Sequence, residues 1–251
     1  MHPEPLQVLQ AARRPVAGPA VQPRLVIAGA TGMLGNEVLR RLVGLQRFGP
    51  AQVLSREPIT PGLRGVQARC MEGDAPAGWP PLPADVGVIL FDPPRLFHDR
   101  ERALWTPQPA QLLEVAAWMR RSGVTTLAVV LPHAQGRLPE ALKRGLAGLD
   151  EQAVAALGFE RLLFIRSAQK AQAVAAGSWL EGVAHWMLSI GRLMVPSSEQ
   201  PVRAVKVAEL VAAALQLAPP GIHVAAPELV WQAAQGDVYA VAARWLGHRA
   251  A

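Results

Sequence analysis

The stretch Leu25-Val26-Ile27-Ala28-Gly29-Ala30-Thr31-Gly32-Met33-Leu34-Gly35 decides how the rest of the 251-residue chain reads. Leu25 to Ala28 is a short, continuous apolar run, the pattern of a strand buried on both faces. It stops at three glycines in seven residues. From Asn36 to Leu45 the apolar residues Val38, Leu39, Leu42 and Leu45 then recur at helical spacing. The order is strand, turn, helix, and each glycine has a distinct use in it. Gly29 lets the chain turn sharply off the strand, Gly32 lets a pyrophosphate approach backbone that carries no Cβ, and Gly35 allows close packing of helix on strand. Ala30 and Thr31 complete the turn, and the unpaired N–H groups near Met33 and Leu34 face an anion at the helix N-terminus.

The same alternation continues along the chain. Strands are expected at 51–54, 65–70, 86–91, 125–131 and 159–165, with a short one at 222–224. Helices are expected at 109–121, 139–157, 172–194 and 203–217, with Gly123 and Gly158 as stops. Strands alternating with helices of about 10 or more residues imply an α/β fold: a doubly wound, mostly parallel sheet with helices on both faces and a small C-terminal helical region. Residues 1–23, rich in Pro, Ala and Gln without a sustained period, read as a flexible arm, and 24–251 as one domain.

Composition narrows the classes. One cysteine, Cys70, excludes an intramolecular disulfide, and no paired Cys/His spacing marks a zinc site, so a reducing cytoplasm fits. The most apolar helix, 179–195, is interrupted by Glu181, His185 and Arg192, so no membrane span is expected. The first twenty residues hold four prolines and two arginines and lack the apolar stretch of a signal peptide. The net charge of +6 raises nucleic acid as a partner, but the basic residues are scattered pairs with little aromatic interleaving, which reads as a solvated basic surface.

The end of the second strand selects the adenosine ribose of a dinucleotide. There the chain reads Val53-Leu54-Ser55-Arg56, and Arg56 can pair with a 2′-phosphate, with the Ser55 hydroxyl as a second donor. That pattern favours NADP(H). Glu57 follows at once, so NAD(H) stays open. Asp74, past the third strand, can accept from an adenine amino group or simply form a turn in Glu72-Gly73-Asp74.

With these residues placed, the chain resembles the atypical short-chain dehydrogenase/reductase superfamily, particularly small NAD(P)-binding proteins related to a mammalian oxidoreductase-like tumour suppressor. The resemblance spans about 24–230 and rests on the glycine turn, on Leu54-Ser55-Arg56, on 148–159 and on 201–215. It implies a Rossmann domain and a Ser, Tyr, Lys trio in which the tyrosine moves a proton while hydride passes to or from nicotinamide. This chain lacks the trio. Aligning Ala147 to Phe159 with the family's helix puts Lys143 at the tyrosine position, Ala147 at the lysine position and Leu131 at the serine position. The sole tyrosine, Tyr239, has Ala243 four residues on.

His133 after the fifth strand, His98 after the fourth and Lys143 are the remaining candidates for acid/base or phosphate-binding roles. Trp179, Val183, Trp186, Met187, Ile190 and Met194 recur at helical spacing. They read as core, while a substrate pocket, a protein partner or a homodimer contact stays open. The expectation is an NADP(H)-binding protein with a cofactor-dependent binding or regulatory role. The competing reading is an oxidoreductase or epimerase-like enzyme with a non-tyrosine acid/base.

Overall fold

The computed structural model describes residues 22–94, 99–133, 148–168 and 202–248. Its strands are β1 (Leu25–Ala28), β2 (Ala51–Ser55), β3 (Val66–Cys70), β4 (Val86–Leu90), β5 (Thr126–His133), β6 (Arg161–Ala168) and β7 (Gly221–Ala225). They form one sheet in the order β3-β2-β1-β4-β5-β6-β7, every pair parallel. The helices are α1 (Gly32–Gly44), a single turn α2 (Asp99–Arg102), α3 (Leu112–Arg121), α4 (Leu149–Ala155), α5 (Ala204–Leu217), α6 (Pro227–Gln235) and α7 (Val238–Trp245).

Strand order reverses at β1, whose neighbours are β2 on one side and β4 on the other. In open parallel sheets such a reversal leaves a crevice at the carboxyl ends of the strands. The doubly wound Rossmann-type fold is therefore present.

The period-two alternation of the central strands divides the core between the two faces. Leu25, Ile27, Val53, Val88 and Leu163 point to the side covered by Val38 and Leu42 of α1, Leu210 and Val211 of α5, Val230 of α6 and Ala242 of α7. Val26, Leu54, Ile89, Leu127 and Phe164 point to the opposite side, against Val115, Trp118 and Met119 of α3 and Val154 of α4. β1, β2 and β4 are buried along their whole lengths, as strands covered on both faces must be.

The structure moves several expected boundaries. α1 begins at Gly32 rather than Asn36, so two of the glycines belong to its first turn. The expected 109–121 helix is a 3₁₀ turn (Pro109–Gln111) followed by α3. β5 runs on to His133, and β6 is shifted to Arg161–Ala168. Gln22 and Pro23, read as part of the arm, bond the domain: Gln22 Nε2 donates to the Gln46 carbonyl at 2.8 Å, and the Gly49 N–H donates to the Pro23 carbonyl at 3.0 Å. Of the 139–157 helix only α4 falls within the described residues, and the 172–194 helix lies outside them. No helix among the described residues is long and apolar enough to cross a membrane.

Candidate nucleotide site

The glycine turn sits at the carboxyl end of β1, beside the strand-order reversal. Gly29 has φ +84° and Gly32 φ +66°, the left-handed region in which L side chains are strained. A Cβ on Gly29 would overlap the Leu90 carbonyl oxygen, and one on Gly35 would overlap the Gly29 carbonyl oxygen. The first and third glycines therefore let β1, β4 and α1 approach one another. At Gly32 the space a Cβ would take holds the Asp92 carboxylate, with the Pro93 carbonyl oxygen 2.7 Å away.

The N–H donors of this turn already carry carboxylate partners. Gly32 N–H donates to Glu101 Oε2 at 3.0 Å, and Leu34 N–H donates to Asp92 Oδ2 at 2.8 Å. Asn36 Nδ2 donates to Glu101 Oε1 at 2.9 Å and to the Gly32 carbonyl at 2.7 Å. Carboxylates at a helix N-terminus are favoured by the free N–H groups and the helix dipole. Thr31, fully buried, donates its hydroxyl proton to the Asp92 carbonyl at 2.6 Å. Its contact with Thr106 at 2.9 Å must then run with Thr106 as donor, because a hydroxyl has one proton.

Residues 103–105 cross the carboxyl ends of β1 and β2 as a strap. Gly29 N–H donates to the Trp105 carbonyl at 3.2 Å, Trp105 N–H to the Leu54 carbonyl at 2.9 Å and Arg56 N–H to the Ala103 carbonyl at 2.8 Å. Trp105 anchors the strap. Its ring lies 4.7 Å, centroid to centroid, from Trp79, which lies 5.3 Å from Trp118, both edge to face.

This strap corrects the expectation for Ser55. Rather than standing beside Arg56 as a phosphate donor, Ser55 is fully buried, and its Oγ has no hydrogen-bond partner. The expectations for Arg56 and Asp74 are joined instead: Arg56 Nε bonds Asp74 Oδ1 at 3.0 Å, and both side chains are about half exposed or more. A guanidinium in that position still faces solvent at the carboxyl end of β2. Met33 is exposed at the start of α1. His133 is the last residue of β5. His98 and Lys143 lie outside the described residues.

Sequence reasoning missed Asp92, Glu101 and Asn36. Asn36, one residue past the third glycine, is the one with a visible signal, since a polar amide in the first turn of an otherwise apolar helix face invites a partner. Glu101 carries none, being 69 residues from the N–H it caps.

Beside the turn opens a cleft of about 520 Å³, lined by Asn36, Leu39, Arg40, Thr60, Leu63 and Glu101 among others. The sole tyrosine lies elsewhere. Tyr239 lines a separate cleft with Arg41 and Leu45, at the C-terminal end of α1. Nine residues of helix, about 13 Å, separate Arg41 from Gly32. Among the described residues no group of His, Cys, Asp and Glu is placed to hold a metal ion.

No family model matches the chain, and no curated protein matches it. Solved structures do. Triphenylmethane reductase from Citrobacter sp. is 17% identical over 79% of this chain and 67% of its own, with a TM-score of 0.48. The Bordetella bronchiseptica enzyme WbmH, solved in complex with NAD+, is 13% identical over 83% and 79% of the two chains, with a TM-score of 0.45. A UDP-galactose 4-epimerase is 13% identical over 90% and 97%, with a TM-score of 0.41. At such values the likeness assigns no activity, and what the chain has in common with these proteins is the α/β fold that its own strand order defines.

Proposed function

We propose that the chain is a nicotinamide-dinucleotide-binding protein of the atypical short-chain dehydrogenase/reductase type, with NADP(H) preferred, acting as a cofactor-dependent binding or regulatory protein. The observation that carries this reading is the glycine turn at the strand-order reversal, whose N–H groups hold two anionic oxygens in one helix turn. A donor set that holds carboxylate oxygens has the chemistry to hold pyrophosphate oxygens. Gly29, Gly32 and Gly35 would frame the pyrophosphate, the N–H groups of Gly32 and Leu34 would bond it, and Arg56 would read the 2′-phosphate. Bound there, the cofactor would supply hydride chemistry.

The regulatory role is favoured over catalysis by what surrounds the turn. Carbonyl reduction needs a proton donor at the reacting oxygen. The sole tyrosine stands at the far end of α1, and Ser55 is sealed under the strap. The alternative, an oxidoreductase or epimerase-like enzyme, would draw its acid/base from His133 or His98.

The test is a fluorescence titration of the full chain with NADPH and with NADH. NADPH should bind more tightly, and Arg56→Ala should weaken NADPH about tenfold while leaving NADH nearly unchanged, as loss of one charge-assisted contact implies. Equal affinity for the two cofactors in the unmutated protein overturns the NADP(H) preference. Turnover of a carbonyl substrate that is lost in His133→Ala overturns the non-catalytic reading.

A further inference from the structure

We propose that Asp92 and Glu101 form an intramolecular competitor for the pyrophosphate site, so that a dinucleotide binds only by displacing both carboxylates from the glycine turn. This rests on the reading of the turn as the nucleotide site, and it adds the regulation of that site.

The geometry shows direct competition at three levels. The first is the donors: the Gly32 and Leu34 N–H groups are bonded to Glu101 and Asp92, and the Gly29 N–H to the Trp105 carbonyl. An N–H offers one proton, so a phosphate oxygen must take the place of a carboxylate oxygen rather than add to it. The second is space. The bare face of Gly32, which a pyrophosphate would need, is covered by the Asp92 carboxylate and the Pro93 carbonyl. The third is charge. Glu101 is 6% exposed, and a pyrophosphate beside its carboxylate would set like charges together at low effective dielectric.

Opening the site does not require the strap to leave. Residues 103–105 are held by backbone bonds to β1 and β2 and by the Trp105 anchor, whereas the two N–H groups are held by side-chain carboxylates, and that of Asp92 can turn away while its backbone carbonyl keeps the Thr31 hydroxyl. Glu101 is also a wall of the cleft that Asn36, Arg40 and Thr60 line. Turning its carboxylate away from Gly32 would connect that cleft, which Arg40 also lines, to the turn's donors. An affinity that is divided by the fraction of open molecules makes occupancy of this site respond to whatever moves residues 92 and 101.

The experiment is calorimetric titration of the full chain, unmutated and as Glu101→Ala and Asp92→Ala, with NADPH and separately with inorganic pyrophosphate. Amide hydrogen exchange at Gly32 and Leu34 is followed in the ligand-free proteins, and thermal melting confirms folding of each variant. Each substitution should tighten both probes about tenfold or more, as removal of a competing state predicts. Gly32 should exchange faster in Glu101→Ala and Leu34 faster in Asp92→Ala. Two independent variants keep the test alive if one fails to fold. Binding of NADPH by the unmutated protein with no tightening in either variant overturns the competition and leaves the cofactor reading standing. Absence of binding by all three proteins overturns both. Tightening without faster exchange at the matching amide shows repulsion from a distance, and overturns occupancy of the turn by the carboxylates.

Discussion

At the scale of single residues, Ser55 shows how burial changes the use of a side chain. A serine next to Arg56 at the end of β2 has the right chemistry for a 2′-phosphate. Yet the antiparallel contact of Ser55 with Leu104 puts it under the strap, where its Oγ is left without a partner. A buried unsatisfied hydroxyl costs about 1–3 kcal/mol against the same group in water. Ser55→Ala should therefore leave thermal stability unchanged or raise it by about 1 kcal/mol, and should not alter NADPH affinity. Paired melting and titration curves check both, and a loss of affinity would restore the serine as a phosphate donor. Gly29 behaves in the opposite way, because its neighbours leave no tolerance. With φ +84° and the Leu90 carbonyl oxygen in the space of a Cβ, Gly29→Ala should destabilise the domain by about 1–3 kcal/mol, read as a fall in melting temperature.

At the scale of elements, the starts of β1 and β4 are clipped together by Arg24 and Asp85. Arg24 N–H donates to Asp85 Oδ2 at 2.7 Å, and its guanidinium reaches Oδ2 and Oδ1 at 3.1 Å each. The guanidinium first, and then the backbone N–H, hold the Asp85 carboxyl below the usual carboxylate range. A carboxyl with a lowered folded pKa contributes stability that is complete above its unfolded pKa and is lost as pH falls through the folded one. Asp85→Asn should therefore lower stability at pH 7 by well under about 1 kcal/mol given the exposure of the pair, read as a small fall in melting temperature. That difference should vanish in acid once the carboxyl is protonated. A difference that persists at low pH would show that the charge is irrelevant to the clip. A second ion pair joins α4 to β6: Arg166, 2% exposed, bonds Glu151 Oε2 at 2.7 Å. Apolar periodicity has no place for a charge in the middle of a strand. α4 brings Glu151 within reach of Arg166 and so helps β6 accommodate the charge.

At the scale of the whole molecule, the strap ties the carboxyl ends of β1 and β2 to the core through Trp105. Trp105 is 1% exposed and belongs to the apolar cluster of the α3 face. Trp105→Ala should cost about 3–5 kcal/mol, the range for truncating a buried large aromatic. It should also loosen the backbone bonds across β1 and β2, measured as lowered stability together with faster amide exchange at Gly29 and Arg56. Much of this architecture was legible in the sequence. The six strand-forming runs after β1, the glycine turn and the position of Arg56 all depend on local pattern, since apolar period and glycine placement report on backbone that is near in sequence. The small C-terminal helical region was legible as well, though its division into α6 and α7 was not. Other features needed the fold. The cap of Glu101 on Gly32, the Asp92 carboxylate over the turn, the Arg56–Asp74 pair and the sealing of Ser55 join residues 18 to 69 positions apart, or hide a polar group that composition would leave in water. The sequence by itself determined that the chain builds a glycine turn between its first strand and first helix and that no tyrosine is followed four residues on by a lysine, because both follow from residue identity at short range. Only the tertiary structure decided that the turn's donors are held by the protein's own carboxylates, because long-range hydrogen bonds and burial depend on which loops the sheet order brings together.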